Sequence, residues 1–253
     1  MMGHASQPVT EPPQVQHYSV AKSSPILGGS AIAGYCKQKL QYRKLRKKVE
    51  SFKMSDTAAK HLAFLEEIGK LKHIKRTGWV LRNVNDPETI SGHMYRMAVM
   101  TFLLDENNET KLNRTRCMEL ALLHDMAECI VGDLTPYCGV SKEEKHRRED
   151  EAMKTLKSLC HTQGDRMYTL FQEYESQETP EAKFVKELDI VDMLVQAFEY
   201  EKAQHIDLSE FFVPERYTFV FPLTKSMNEE LVKQRNELIR NKTTQNGTIK
   251  NAS

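Results

Sequence analysis

His124 and Asp125 stand side by side, with Glu128 and Asp133 completing four potential ligands or proton carriers within ten positions. They follow the apolar run Leu120 to Leu123, and an ionised carboxylate in such company is costly to bury without a cation, a metal or several donors beside it. A His-Asp pair alone decides little, since chance supplies about 0.4 such pairs in a chain of this composition. A core histidine held by its neighbour is the plain alternative. What raises the signal is Glu128, four residues after His124 and three after Asp125, on the same helical side by the 3.6-residue period.

Three further stretches carry residues of the same kind. His93 opens a face completed by Met97, Met100 and Leu104; alone, a histidine there is more often a satisfied core residue than a ligand. Asp189 lies mid-helix among Leu188, Ile190 and Val191, where an aspartate needs a strong partner. A metal shared by His93, His124, Asp125 and Asp189 answers that need. Lys75 to Asn83 breaks the helical period and holds the only tryptophan, Trp79, between Arg76 and Arg82. Such a loop can grip a base or sugar with the ring and a phosphate with guanidinium. Equally, the indole can plug the core while the arginines face water.

The elements that must position these residues read as helices. Leu62, Leu65, Ile68 and Leu71 mark a first helix capped by Ser55 or Asp56, and Ser91 is a candidate cap for the helix of His93. A helix from Asn113 or Lys111 runs through His124 and Asp125 until Gly132 and Pro136 stop it. Ser141 to His161 forms a charged helix with Met153, Leu156, Leu159 and Cys160 inward, and Met167 to Tyr174 another. Pro180 starts a long helix through Glu199, and a last one spans Thr224 to Arg240. No convincing alternating strand and no repeat is present. The expectation is an all-α bundle with its site between helices, over residues 56–240. A basic extension (1–55), read as lacking fixed structure, precedes it and a polar tail (241–253) follows.

Composition narrows the function. With 40% hydrophobic residues among 253, the chain can bury a core without disulfides. Lys+Arg of 36 against Asp+Glu of 35 argues against a polymeric nucleic-acid binder. The five cysteines include no CxxC and fit a reducing compartment. No run of 18 apolar residues suggests a membrane span. An intracellular, cytoplasmic setting is the expectation, with mitochondrial or nuclear placement left open.

The ordered set His93, His124-Asp125, Asp189 resembles the H…HD…D signature of HD-domain metal-dependent phosphohydrolases. The local text is closer still: Arg76, Trp79, Arg82-Asn83-Val84, Ser91-x-His93, His124-Asp125-x-x-Glu128, Gly132-Asp133-Leu134 and Lys186-x-Leu188-Asp189. With Glu143 to Glu149 and Gln196 to Glu201, it resembles the HD-domain 5′-deoxynucleotidases of the eukaryotic HD-domain-containing protein 2 group, over about Lys60 to Lys202. The resemblance implies hydrolysis of 2′-deoxynucleoside 5′-monophosphates in an all-helical homodimer. It makes His93, His124, Asp125 and Asp189 metal ligands, Glu128 the group that orients or deprotonates water, and Arg76 the phosphate holder. It sets Trp79 against a ribose 2′-hydroxyl and Asp133 at the 3′-hydroxyl. Two imidazoles and two carboxylates suit Co²⁺, Mn²⁺, Ni²⁺, Fe²⁺ or Zn²⁺; Glu128, Asp133 and the Leu134 carbonyl suit a second, harder ion such as Mg²⁺. Alternatives are hydrolysis of another phosphate ester, a di-iron oxygenase, disfavoured by too few histidines, and a non-catalytic metal- or nucleotide-binding scaffold.

Overall fold

The computed structural model describes residues 57–105 and 111–250. The basic extension, including Lys37 to Lys48 and the candidate caps Ser55 and Asp56, lies outside the described residues. Across the described residues the three- and four-residue spacing of apolar side chains is realised as helix, and the β structure is one isolated antiparallel bridge, Lys75 to Thr89. No helix among them is long and apolar enough to cross a membrane.

The chain forms α1 (Thr57–Gly69), the one-turn α2 (Thr77–Val80), α3 (Ile90–Met100), α4 (Arg114–Leu123), the one-turn α5 (Glu128–Val131), α6 (Lys142–Leu159), α7 (Gly164–Ser176), α8 (Pro180–Gln204) and α9 (Pro222–Lys250). Start signals in the sequence explain most boundaries. Asn113, Ser141 and Thr179 accept from the amides of Arg116, Glu144 and Ala182, satisfying donors that a helix N-terminus leaves open. Pro180 sits in the first turn of α8, where its missing N–H costs nothing.

Four sequence expectations are revised. The cap of α3 is Thr89, whose hydroxyl accepts from Gly92 N at 3.3 Å, while Ser91 lies inside the first turn. On α1 the inward face is Phe64 and Ile68, with Leu71 just beyond, packed towards Met153, Leu156 and Phe171. Leu62 and Leu65 are instead 63% and 57% exposed. Both sets obey helical spacing, so periodicity alone could not choose, and the larger aromatic surface wins the core. The helix of His124 does not run through Glu128; it ends after Leu123 in tight i→i+3 turns before α5 begins. Finally, α9 continues ten residues past Arg240.

α8 is the central element, packed on α3, α4, α7 and α9. Its Val185, Leu188 and Val191 meet Met97 of α3 and Cys117, Leu120 and Ala121 of α4 in one cluster, while Leu194, Ala197 and Phe198 meet Trp79, Leu208 and Phe211 in another. Glu187 is 6% exposed, and its carboxylate accepts from the Val220 amide at 2.8 Å, the Phe221 amide at 3.2 Å and the Thr224 hydroxyl. That one side chain ties down the two residues leading into α9 and a hydroxyl of its first turn, and so fixes its entry onto α8. Glu187→Ala strands these groups in the interior and should cost about 3 kcal/mol of stability, read as a lowered urea midpoint with the helical circular-dichroism signal retained in native buffer.

Candidate metal centre and substrate cleft

Three helices bring the candidate ligands to one place. His93 comes from the first turn of α3, His124 and Asp125 from the tight turn that follows α4, and Asp189 from the middle of α8. His93 Nε2 lies 3.3 Å from His124 Nε2, 3.3 Å from Asp189 Oδ1 and 3.7 Å from Asp125 Oδ2, which is itself 3.1 Å from His124 Nε2.

The outward nitrogens are held by other partners. His93 Nδ1 meets Asp192 Oδ2 at 2.6 Å, and His124 Nδ1 meets the Ala121 carbonyl at 2.9 Å. Donating there leaves both Nε2 atoms with lone pairs aimed at each other and at carboxylate oxygens. Acceptors turned towards one another in a buried space repel unless a cation joins them. The donor set therefore fits a divalent metal on His93, His124, Asp125 and Asp189. Without one, protons and neighbouring cations must stand in. Burial and the Arg76 charge oppose protonation of His93, but its hydrogen bonds to Asp189 and Asp192 prevail and lift its pKa to about 9.

The carboxylates divide. Burial resists ionisation of Asp125, yet His124 and then Arg76, whose Nη1 is 3.0 Å away, hold it well below the usual range. Asp189 is held low against burial by Lys186, Nζ to Oδ2 2.8 Å, and by His93. Glu128 behaves oppositely: burial first, then the charges of Asp125 and Asp133, push its pKa well up. It is 2% exposed, its Oε2 has no hydrogen-bond partner among the described residues, and Lys145 Nζ stands 4.0 Å from Oε1. The tight turn explains the alignment, because side chains three apart eclipse in 3₁₀ geometry, setting Glu128 in line with Asp125.

The Arg76 loop is pinned on both sides. Arg76 N donates to Glu88 O at 3.0 Å and Ile90 N to Ile74 O at 3.0 Å, closing the bridge. Asp133 Oδ2 accepts the Thr77 amide at 2.6 Å, and the Asp133 carbonyl accepts the Thr77 hydroxyl at 2.9 Å. Gly132, at φ 79°, supplies the left-handed turn that brings Asp133 round. Trp79 plugs the core as one sequence reading expects, although Arg76 is largely buried and does not face water as that reading has it. It is 2% exposed, edge-on to Tyr200, 4.9 Å from the Phe211 ring, with Nε1 donating to Glu88 Oε1 at 2.9 Å. It also lines an open cleft of about 430 Å³ shared with Arg76 and Asp133, a size typical of small-molecule sites.

The support around the ligands escaped sequence reasoning. Asp192 is fully buried and bonded to Arg96 Nε, and Arg96 reaches Glu199 Oε2 at 2.9 Å. The available signal was a matched spacing: Arg96 follows His93 by three, and Asp192 follows Asp189 by three, so two helix faces present complementary charge. Nothing in the spacing of the charged run of α6 sets Lys145 apart from its neighbours.

A family model described as HD domain matches residues 68–226. The chain is 49% identical over 177 residues to the 5′-deoxynucleotidase HDDC2 of Danio rerio, covering 67% of this chain and 86% of the relative. It is 53% identical over 145 residues to that of Homo sapiens, covering 57% and 70%. Among solved structures, a predicted metal-dependent phosphohydrolase of Magnetospirillum magnetotacticum aligns with a TM-score of 0.56 and 27% identity, covering 72% of this chain and 97% of the other.

Asp192 Oδ2 meets His93 Nδ1 and so orients the ring, without being one of the four candidate ligands. Asp192→Asn should therefore weaken divalent-metal affinity by about 10- to 100-fold with secondary structure retained, measured by competition with a chelator for Co²⁺; unchanged affinity would contradict that role.

Proposed function

The chain belongs to the HD-domain family, and from that footing we propose that it is a metal-dependent 5′-deoxynucleotidase, a phosphoric monoester hydrolase releasing phosphate from 2′-deoxynucleoside 5′-monophosphates. The observation that carries the reading is the convergence of His93, His124, Asp125 and Asp189 on one point, with Arg76 3.0 Å from Asp125 and a buried Glu128 oxygen that has no hydrogen-bond partner among the described residues. These four side chains would hold the divalent ion, one of Co²⁺, Mn²⁺, Ni²⁺, Fe²⁺, Zn²⁺ or Mg²⁺. The ion supplies Lewis acidity, lowering the pKa of the attacking water and offsetting charge on the phosphoryl oxygens.

The protein's own groups do the rest. Arg76, 15% exposed at its side chain and flanked by Asp125 and Asp189, remains charged and presents a fixed guanidinium to the phosphate. Glu128 takes the proton from the water as its oxygen bonds to phosphorus and the bond to O5′ breaks; a carboxyl with raised pKa is a better base at neutral pH than an ordinary one. The proton passes to the departing O5′, and deoxynucleoside and phosphate leave. Asp133 accepts the 3′-hydroxyl, and the Trp79 ring packs where a ribose 2′-hydroxyl would project. Glu128, Asp133 and the Leu134 carbonyl would serve a second, harder cation. The thiols of Cys117, Cys129, Cys138 and Cys160 are free, which suits a reducing intracellular compartment.

The functional unit is a homodimer in this reading. Tyr95, Val99, Phe102 and Leu103 are 70%, 45%, 62% and 56% exposed and recur at helical spacing along the outer side of α3 and the turn after it. Such a stripe is a candidate self-complementary contact. Phe102→Glu should shift the sedimentation profile to monomer.

For the reaction, metal-stripped protein reloaded with Co²⁺, Mn²⁺ or Mg²⁺ should release phosphate from deoxynucleotides in preference to ribonucleotides. His124→Ala should lose metal and turnover together. Glu128→Gln should keep the metal and lower kcat by about 10²- to 10⁴-fold. Full turnover by metal-free His124→Ala would overturn the assignment.

A further inference from the structure

The part of the cleft without a proposed catalytic group is built by two segments distant in sequence, Thr135 to Tyr137 and Phe211 to Tyr217. Arg82 ties them together. Its Nε and Nη2 donate to Glu210 Oε1 and Oε2 at 2.8 and 2.9 Å, Nη1 to the Gly78 carbonyl at 3.2 Å, and Nη2 to the Tyr137 hydroxyl at 3.3 Å. Its guanidinium carbon lies 4.9 Å from the Tyr137 ring centroid and 4.8 Å from that of Phe211. With charge matched and every nitrogen engaged, Arg82 is a strut of the cleft wall and has little left to offer a ligand.

Two cleft side chains differ from it. Tyr137 is 66% exposed, with the Arg82 guanidinium over its ring. Arg216 is exposed and donates through Nη1 to the Glu210 carbonyl at 3.1 Å, with no carboxylate at ion-pair distance among the described residues. An open aromatic face and a guanidinium with spare donors, in the same cleft as Arg76, match a planar heterocycle with acceptors on its edge. Stacking on a tyrosine is tolerant of base identity. The guanidinium is not, because two parallel N–H bonds need two adjacent acceptors, as in N7 and O6 of guanine, whereas adenine places a donor amino group beside N7. Pyrimidines stack over less area.

We propose that Tyr137 and Arg216 form a base subsite that selects 6-oxopurine over adenine deoxynucleotides. This rests on the deoxynucleotidase reading, and it adds a specificity that the ligand set and Arg76 do not supply. Tyr137 provides the stacking face and Arg216 reads the edge, while Arg82 and Glu210 hold both segments in place.

The test uses the full, metal-loaded chain with dGMP and dAMP. The native protein should favour dGMP in kcat/KM by about tenfold, from the discrimination typical of one bidentate arginine contact. Arg216→Gln should bring the ratio near one through a raised KM for dGMP. Tyr137→Ala should raise KM for both substrates, and Tyr137→Phe should restore them, since the ring and not the hydroxyl is used. Equal use of the two substrates by the native chain, or parallel losses in Arg216→Gln, would overturn the subsite. Binding of deoxyguanosine and deoxyadenosine, followed by quenching of the single tryptophan in the cleft, separates the two ideas. Selective nucleoside binding without turnover of any deoxynucleotide keeps the subsite and overturns the hydrolase reading. Turnover without selectivity does the reverse, and neither binding nor turnover overturns both.

Discussion

The structure depends on one electrostatic constraint: two imidazole nitrogens and carboxylates from two helices are held within about hydrogen-bond distance of each other in a buried space. Left to themselves such acceptors would repel, and burial would strip them of water. Every notable polar contact nearby answers this demand. Arg76 sits against Asp125, Lys186 against Asp189, and Asp192 against the far nitrogen of His93, with Arg96 behind it. A divalent ion would complete the compensation, and such an ion supplies Lewis acidity that phosphate-ester hydrolysis can use. Chemistry and the demand for charge balance thus select the same arrangement.

Holding opposed acceptors together needs rigid helices on three sides. α8 provides the rigid side, with Val185, Leu188 and Val191 fully buried around Asp189. α4 must both pack its apolar face and turn its last residues inward. The i→i+3 turns after Leu123 do this by tightening the chain where His124, Asp125 and Glu128 are needed. Gly132 then reverses the backbone so that Asp133 can hold the Arg76 loop. His124, Asp125, Glu128 and the Arg76 loop are therefore coupled through some ten residues of chain.

Most of this was legible in the sequence, for identifiable reasons. The four candidate ligands stand out because each is a titratable residue in an otherwise apolar periodic run, and the helices that precede or bear them announce themselves through spacing and caps. What was not legible depends on competition between local alternatives or on distant pairs. Thr89 and Ser91 are both good caps two residues apart, and the bridge to Lys75 decides for Thr89. Two apolar faces of α1 were equally periodic, and only the presence of Met153, Leu156 and Phe171 opposite Phe64 settles which is buried. Asp192 and Arg96 are 96 residues apart, so their pairing is a property of how α3 meets α8.

The contrast between Asp125 and Glu128 shows how one tight turn yields two chemistries. Both are buried carboxyls, three residues apart, and desolvation is the largest influence on each. Asp125 is next to His124, Arg76 and His93, and their attraction outweighs burial, so it stays ionised. Glu128 has Asp125 and Asp133 as its nearest charged influences and Lys145 only at 4.0 Å, so burial prevails and it is drawn towards holding a proton. A carboxylate that binds a metal must stay ionised, whereas a proton carrier must sit near the point of exchange. The turn assigns these roles by exposing one carboxyl to the cationic side of the site and the other to the anionic side. Exchanging the two residue types would lose both roles, because the longer glutamate arm and the shorter aspartate would each meet the wrong neighbours.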